Sequence, residues 1–243
     1  LHLRAEICTD TVLDELAEFS HEEQVGIISL MDHTPGQRQF VDVSKFETYI
    51  RGKRNYTNEQ WEGYVEFLYG LQARVGTKHE AATVAAAKRL GATLASHDDT
   101  TADQVATSHS YGVRVAEFPT TVVAAEACHA NGIATIMGAP NLIRGGSHSG
   151  NVAASDLAQM DRLDILSSDY VPAGLLMAAV RLGDIWGNLA RGMRTVTATP
   201  AQAVGLNDRG ALAIGQRADI IRFTIQDKTP VLQETWSAGK RAS

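Results

Sequence analysis

Four side chains that can bind a metal ion stand at the ends of short apolar runs: Glu6, His33, His97 and Asp169. Imidazole nitrogens and carboxylate oxygens are ligands that suit Zn²⁺ and similar first-row cations. A carboxylate can also bridge two cations about 3.5–4 Å apart, a geometry that activates water for hydrolysis. If the four runs are parallel strands, their ends meet at one edge of a sheet. The pattern therefore predicts one shared metal cluster.

Each of these residues also has a structural interpretation. A lone histidine at a strand end more often makes a structural hydrogen bond than a metal contact. Glu6 could pair with Arg4, and Asp169 could cap the helix that follows it. The metal interpretation is favoured because four separate strands carry ligand-capable groups at the same end.

Two further carboxylates, Asp98 and Asp99, directly follow His97. They could orient the imidazole without binding the metal themselves, or they could cap the helix predicted to begin near Thr101. The histidines of the predicted helices are expected on the surface: His21, His79, His109 and His129.

A glycine-rich stretch after a predicted strand could bind an anion. A guanidinium, hydroxyl groups, an imidazole and free backbone N–H groups together suit phosphate, and glycine lets the backbone approach it closely. Composition alone also fits a mobile surface loop, but the position beside the metal residues favours the phosphate site. The predicted substrate-binding residues are Arg4, Arg144, Gly145, Gly146, Ser147, His148 and Ser149, with Gln37 and Arg38 as secondary candidates.

The elements that position these residues alternate between strand and helix over roughly the first 170 residues. Strands are predicted at 2–8, 25–31, 93–96, 113–118, 133–138 and 164–168. Helices are predicted at 10–19, 58–74, 79–90, 102–108, 122–130 and 154–160. This alternation is typical of an α/β fold with parallel strands, in which ligands bind at the carboxyl ends of the strands.

Two regions depart from the alternation. Residues 34–76 form a long insertion with charged and aromatic side chains. The insertion is predicted to contain helices of its own and to act as a lid or a subunit contact. A subunit contact would make the protein a homo-oligomer. After Asp169, helices are predicted at 173–181 and 183–193, and Pro200 suits the first turn of another. Strands at 219–224 and 230–236 are expected to lack partners within the tail.

The composition argues against several classes of protein. The 243 residues carry 22 Lys and Arg against 28 Asp and Glu, a net charge of −6, so a nucleic-acid partner is not expected. No apolar run approaches the roughly 18 residues that cross a bilayer, so a membrane partner is not expected either. Two cysteines, Cys8 and Cys128, are too few for a disulfide scaffold and fit a cytoplasmic protein.

Several motifs carry a family resemblance. The segment TATPAQAVGLNDRGALAIGQRADIIRF (197–223) resembles the C-terminal signature of the amidohydrolase superfamily. Five further pieces resemble, within that superfamily, the metal-dependent diphosphatases of phosphonate breakdown by the carbon–phosphorus lyase pathway: HLRAE (2–6), MDHTPGQ (31–37), LASHDDTT (94–101), GAPNLIRGGSHSGN (138–151) and ILSSDYVP (165–172). The resemblance covers essentially the whole chain.

The resemblance implies a TIM-like (β/α)₈ metal-dependent hydrolase barrel with a small β-sandwich. It implies that Glu6 is the bridging carboxylate, that His33 and His97 bind the second metal, and that Asp169 accepts the proton of the attacking water. Zn is the expected cofactor, as one or two ions, with Mn and Fe as alternatives. The implied substrate is a small triphosphorylated sugar phosphonate, which loses diphosphate.

One departure from the superfamily pattern affects the expected fold. The His-x-His pair of the first barrel strand is missing, since residues 2–4 read His-Leu-Arg. The chain is therefore expected to lack the N-terminal strands of the barrel, with a partial barrel at 1–196 and the C-terminal part of the sandwich at 197–243. Two other functions stay open: a cyclic-amide hydrolase of the same superfamily, and a non-catalytic subunit of a phosphonate-degrading assembly.

Overall fold

The computed structural model describes residues 1–147 and 150–242 of the chain. Its contacts divide the chain into two compact units, Leu1–Ile133 and Ala134–Ser243. The predicted division of the barrel and sandwich domains after residue 196 stays a prediction. No described helix is long and apolar enough to cross a membrane.

Four parallel strands form the sheet of the first unit: β1 (His2–Glu6), β2 (Ile27–Met31), β3 (Thr93–His97) and β4 (Val115–Glu117). They pair in sequence order, and the register sets Glu6 beside Met31 and His97 beside Glu117. Strands β2 and β3 are buried at all but their first residue, as expected for parallel strands covered on both faces. The prediction of an α/β fold with parallel strands is confirmed.

Helices connect these strands and bury their apolar residues against the sheet. Thr101 and Thr121 begin two of them, and each threonine hydroxyl accepts a hydrogen bond from a backbone N–H of the first turn. Ile28 of the sheet and Val105 and Ala124 of the helices are fully buried. The helices of this unit are α1 (Val12–Ala17), α2 (Val43–Arg54), α3 (Asn58–Leu90), α4 (Ala102–Ser110) and α5 (Val122–Ala130), with 3₁₀ turns at His21–Glu23 and Arg38–Phe40.

Helix α3 is one continuous helix, and the predicted interruption between residues 74 and 79 is wrong. The helix begins with a capping box between Thr57 and Gln60 and ends at Gly91, which has the left-handed conformation. Gly76 lies within it, where a glycine costs about 1 kcal/mol relative to alanine. Burial of the helix face around Gly76 outweighs that cost.

His79 on α3 corrects another prediction, because it is buried and not on the surface. It is only 4% exposed. Its Nδ1 lies 3.0 Å from the backbone oxygen of Ile7, just after β1. The polar ring therefore has a partner inside the core, whereas His21 and His109 are exposed as expected.

The insertion at 34–76 contains a 3₁₀ turn, α2 and the first half of α3, so its predicted helices are confirmed. It has an apolar cluster of its own, in which the rings of Phe40 and Phe46 lie 4.9 Å apart and those of Phe46 and Trp61 lie 5.6 Å apart. Its role as a lid or subunit contact stays a prediction.

The second unit begins with two parallel strands, β5 (Ala134–Gly138) and β6 (Ile165–Ser167). The residues directly after β5 form a helix, so the anion-binding stretch is not wholly a loop. Helices of this unit are α6 (Ala139–Arg144), α7 (Ala154–Gln159), α8 (Leu175–Ile185), α9 (Leu189–Arg194) and α10 (Ala198–Ala203), with a 3₁₀ turn at Pro172–Gly174. Pro200 lies early in α10, as predicted.

The boundary between α8 and α9 lies later in the chain than the sequence predicted. The sequence suggested an interruption at residue 182, but α8 continues to Ile185. Gly183 and Gly192 are instead points of close approach, since a Cβ on Gly192 would lie 2.3 Å from the backbone oxygen of Ala179. These glycines let two helices pack closely and do not end them.

The tail forms a three-stranded antiparallel sheet of β7 (Ile220–Gln226), β8 (Thr229–Ser237) and β9 (Lys240–Arg241). The expectation that the tail strands lack partners within the tail is therefore wrong. Asp227 and Lys228 both have positive φ and form the two-residue turn between β7 and β8. This turn lets adjacent strands pair with each other.

Candidate metal centre

The carboxyl ends of the four strands of the first unit carry its polar cluster. Glu6 is the last residue of β1, and His33 follows β2 by two residues. His97 and Glu117 are the last residues of β3 and β4. The parallel register brings all four to one edge of the sheet, as the sequence predicted for Glu6, His33 and His97.

Glu6 contacts His33 and not Arg4. Its carboxylate makes a short contact with Nδ1 of His33 and also accepts a hydrogen bond, at 3.3 Å, from the His33 backbone N–H. Burial tends to lower the pKa of His33, but the hydrogen bond to Glu6 and the charges of Glu6 and Asp98 outweigh it and raise that pKa. The contact fixes the imidazole on the β1 side of the cluster.

His97 is buried between polar groups on both sides of its ring. Its Nδ1 lies 3.1 Å from Oε2 of Glu117. Its Nε2 lies 3.3 Å from Oδ2 of Asp98 and 3.3 Å from Nη2 of Arg4. Arg4, predicted to bind substrate, therefore stands beside a predicted metal ligand. The His33 and His97 rings meet edge to face, with centroids 5.7 Å apart.

Asp98 is the residue that sequence reasoning undervalued. It is only 3% exposed, and its Oδ2 has no hydrogen-bond partner among the described residues. That oxygen faces both imidazoles, at 3.3 Å from Nε2 of His97 and 3.7 Å from Nε2 of His33. Burial raises the pKa of Asp98, against the opposing effect of the two histidines. Asp98 also has a positive φ, of 56°.

The donor set of His33, His97 and Asp98 fits a divalent cation. One ligand atom from each of the three lies within 4.8 Å of the others, close enough for one ion to contact all three after small side-chain shifts. A buried carboxylate oxygen without a hydrogen-bond donor is costly unless it is neutralised, and a metal ion would do so. A second group in the described part of the chain, Glu6, Cys8 and Asp32, meets the same spacing.

Arg38 and Asp99 hold the end of β3 in place. Nη1 of Arg38 donates to the backbone oxygen of His97 at 2.8 Å and to Asp99 Oδ1 at 2.9 Å. Asp99 also accepts a hydrogen bond from Ser96, at 2.5 Å. Neither Asp98 nor Asp99 caps α4, because Thr101 does so. Arg38, a secondary substrate candidate, is thus already engaged in a buried ion pair.

Asp169 belongs to the second unit, in the turn that follows β6. It is exposed and has a positive φ of 49°. It does not cap a helix, since the residue before the next 3₁₀ turn is Val171. A Cβ on Gly138, at the end of β5, would lie 3.0 Å from Oδ2 of Asp169, so the glycine makes room for this carboxylate. Its grouping with the histidines stays a prediction.

The predicted anion-binding stretch is only partly described. Arg144 ends α6, is exposed, and its Nη1 donates to the hydroxyl of Tyr170 at 3.0 Å, next to Asp169. Gly145 and Gly146 both have positive φ. His148 and Ser149 lie outside the described residues, and Ser147 stands just before them. The binding role of the stretch stays a prediction.

Comparisons with known proteins add an independent line of evidence. No family model matches the chain. The chain is 46% identical over 244 residues to the alpha-D-ribose 1-methylphosphonate 5-triphosphate diphosphatase of Escherichia coli (strain K12), a match that covers 99% of this chain. The chain spans 65% of that protein's length.

Solved structures show the same kind of fold. An amidohydrolase from Thermotoga maritima MSB8 matches with a TM-score of 0.54 and 14% identity, over 83% of this chain and 60% of that one. An uncharacterized protein matches with a TM-score of 0.52 and 18% identity, over 66% and 48% of the two chains. At these identities the likeness concerns the fold alone, an α/β fold with parallel strands. The resemblance identified from the sequence motifs is confirmed: over nearly its whole length the chain is similar to the E. coli diphosphatase.

Proposed function

We propose that the chain acts in a metal-dependent hydrolase that releases diphosphate from α-D-ribose 1-methylphosphonate 5-triphosphate. The observation that carries the proposal is the cluster of half-buried His33 with buried His97 and Asp98, beside Glu6, in a chain similar to a diphosphatase. Imidazoles with carboxylates at strand ends form the kind of site that hydrolyses phosphoric anhydrides with metal help.

The proposed ligands are those expected from the sequence, together with one that the geometry adds. Glu6, His33, His97 and Asp169 are the expected set, and Asp98 joins them through its unpartnered oxygen. Zn²⁺ is the proposed ion, with Mn²⁺ and Fe²⁺ as alternatives, because imidazole and carboxylate ligands accept all three. The inclusion of Asp169 rests on the sequence resemblance.

The proposed reaction is attack of water on the phosphorus that keeps the ribose 5-oxygen. The P–O bond to the bridging oxygen breaks, and diphosphate leaves with that oxygen and its electron pair. A bound divalent cation would supply positive charge that polarises the phosphoryl group and favours deprotonation of water near neutral pH. A carboxylate oxygen of Asp169 accepts the proton of the attacking water, in the role of general base.

Substrate binding is assigned to the residues around the end of α6, with Arg4 as a further contact near His97. The backbone N–H groups of Gly145 and Gly146 both donate to the backbone oxygen of Asn141, so these glycines would serve by letting a phosphate approach the backbone closely. Arg144 offers a planar fork of donors to phosphate. The residues of this set are Arg4, Arg144, Gly145, Gly146, Ser147, His148 and Ser149. The hydrogen bond from the Arg144 guanidinium to the Tyr170 hydroxyl keeps the guanidinium near the turn that contains Asp169.

Replacing Arg144 with Ala is expected to weaken substrate use by about 1–3 kcal/mol, the scale of a charge-assisted hydrogen bond. Steady-state kinetics of diphosphate release would show this as a lower kcat/KM. Arg191→Ala is the matched control, since Arg191 pairs with Asp161 in the same unit, away from the predicted site. Unchanged kinetics in Arg144→Ala would remove the residue from the binding site.

Replacing Gly138 with Ala is expected to displace the Asp169 carboxylate, because the new Cβ would lie 3.0 Å from Oδ2 and 3.3 Å from the Asp169 Cβ. A shift of about 1 Å in a catalytic group can cost 10²-fold, so a displacement of a few tenths of an ångström is expected to lower kcat by up to about tenfold. Gly63→Ala is the control, because a Cβ at Gly63 would meet no atom within 4 Å. Gly132→Ala is unsuitable as a control, because the positive φ of Gly132 would add backbone strain.

The wider organisation is proposed on the resemblance. The chain would contribute most strands of a (β/α)₈ barrel at 1–196 and part of a β-sandwich at 197–243, in a cytoplasmic enzyme that acts on a small molecule and can form a homo-oligomer. Neither a nucleic acid nor a membrane is proposed as a partner.

Metal analysis of the purified full protein tests the proposal against its alternatives. At least one tightly bound divalent ion per chain is expected, together with diphosphate release from the triphosphate. A non-catalytic subunit would hold no stoichiometric metal. A cyclic-amide hydrolase would hold metal and hydrolyse dihydropyrimidine rings without releasing diphosphate, and that result would overturn the proposal.

A further inference from the structure

We propose that Glu117 is a positioning residue for the metal centre, and that it keeps the proton of His97 on Nδ1 so that Nε2 presents a lone pair to the ion. The inference rests on the metal site proposed above. Glu117 does not itself belong to the predicted ligand set. It ends β4, in direct register with His97 at the end of β3.

The contact between Glu117 and His97 is buried and specific. Oε2 of Glu117 lies 3.1 Å from Nδ1 of His97, and the two side chains are only 7% and 5% exposed. A carboxylate can only accept a hydrogen bond, so Nδ1 must carry the hydrogen for the contact to be favourable. The backbones of the two strand ends are hydrogen bonded as well, since the backbone N–H of Asp98 donates to the backbone oxygen of Glu117 at 2.9 Å.

The other oxygen of Glu117 is held in turn by side chains from two further strands of the sheet. Nε2 of His2, on β1, lies 3.4 Å from Oε1 of Glu117 and 2.6 Å from Oγ of Ser29, on β2. Ser29 is fully buried. Groups from three strands therefore fix the carboxylate, so it is able to orient the His97 ring.

The opposite edge of the ring agrees with the same tautomer. Nη2 of Arg4 lies 3.3 Å from Nε2 of His97, and a guanidinium can only donate. Nε2 is therefore the acceptor nitrogen. Oδ2 of Asp98 lies 3.3 Å from Nε2 of His97 and therefore faces its lone pair. A cation would satisfy both atoms.

Loss of Glu117 would favour the other tautomer. With no acceptor at Nδ1, His97 gains most by donating Nε2–H to Asp98, which lies within reach. A metal ion would then have to displace that hydrogen bond before it could bind. Partners of this kind typically contribute 10–100-fold to metal affinity.

Two measurements on the full protein test the inference. The first is the ¹⁵N chemical shifts of His97 in the metal-free wild type, which are expected to report the Nδ1–H tautomer. The second is Co²⁺ affinity, followed by its visible absorbance. Glu117→Ala is expected to weaken Co²⁺ binding about 10–100-fold, and Glu117→Gln is expected to recover part of the loss, because its amide oxygen can still accept from Nδ1–H.

Glu80→Ala is the matched control, since Glu80 also accepts a side-chain hydrogen bond, from Tyr111 at 3.2 Å, in the same unit. It is expected to bind Co²⁺ like the wild type. An Nε2–H tautomer in the wild type, or wild-type Co²⁺ affinity in Glu117→Ala, would overturn the inference alone. A wild-type protein that binds no Co²⁺ would overturn the proposed metal site and the inference together.

Discussion

Asp169→Asn is expected to lower kcat for diphosphate release by about 10²–10⁴-fold, the contribution of a general base. Asparagine keeps the size of the side chain but cannot accept the proton of the attacking water, and its amide oxygen is a weaker metal ligand than a carboxylate. Steady-state kinetics and circular dichroism of the folded variant measure the effect.

Asp161→Asn is the control for that substitution. Asp161 is an exposed aspartate of the same unit and, like Asp169, has a positive φ. Its replacement is expected to leave kcat unchanged. Near wild-type turnover in folded Asp169→Asn would exclude both the proton-accepting and the metal-binding role of Asp169.

His97→Asn is expected to abolish tight metal binding and, with it, activity. Even partners that only orient a ligand contribute about 10–100-fold to metal affinity, so loss of the ligand itself is expected to cost more than 100-fold. The change also leaves Asp98 and Glu117 buried without their imidazole partner, so some loss of thermal stability is expected. Metal content after gel filtration measures the first effect, and the midpoint of thermal unfolding the second.

His79→Asn separates the two effects. His79 and His97 are equally buried, at 4% exposed, but His79 contacts only a backbone oxygen among the polar groups described. The variant is expected to lose stability while retaining metal. Stoichiometric metal in His97→Asn would contradict the proposed site, whatever the stability of that variant.

The strands of the fold were predictable because their sequences are short, apolar and bounded by turns. The run from residue 25 to 31 is an example, and β2 occupies its last five residues, Ile27–Met31. Glycines were less informative, since the same residue type interrupts, ends or packs helices. Gly91 ends α3, Gly76 is tolerated within it, and Gly192 permits contact with α8. Only tertiary packing distinguishes these cases.

The grouping of Glu6, His33 and His97 at one edge of the sheet was predictable because each residue stands at a strand end, and their role as metal ligands stays a prediction. The roles of Asp98 and Glu117 were not predictable, although both stand in the same strand-end clusters. The proposed role of Glu117 depends on the register of β3 and β4, and that of Asp98 on the short distances between its carboxylate and the two imidazoles. A sequence gives the residue type at such positions but not the direction of its side chain.

The tail shows the same difference between local pattern and pairing. Its strand sequences at 219–224 and 230–236 were recognised, but their pairing was not. The turn at Asp227 and Lys228 is a two-residue hairpin without glycine, so the usual hairpin signal is missing. The third strand, Lys240–Arg241, is too short to detect by alternation.

Metal-dependent hydrolysis of the triphosphate, with release of diphosphate, can be followed in one assay. The full protein is stripped of metal with a chelator and incubated with α-D-ribose 1-methylphosphonate 5-triphosphate, with and without added Zn²⁺ or Mn²⁺. We expect no turnover without metal, and equal amounts of diphosphate and the 5-phosphate once metal is restored. Equal turnover without metal, or release of orthophosphate in place of diphosphate, would contradict metal-dependent diphosphate release by this protein.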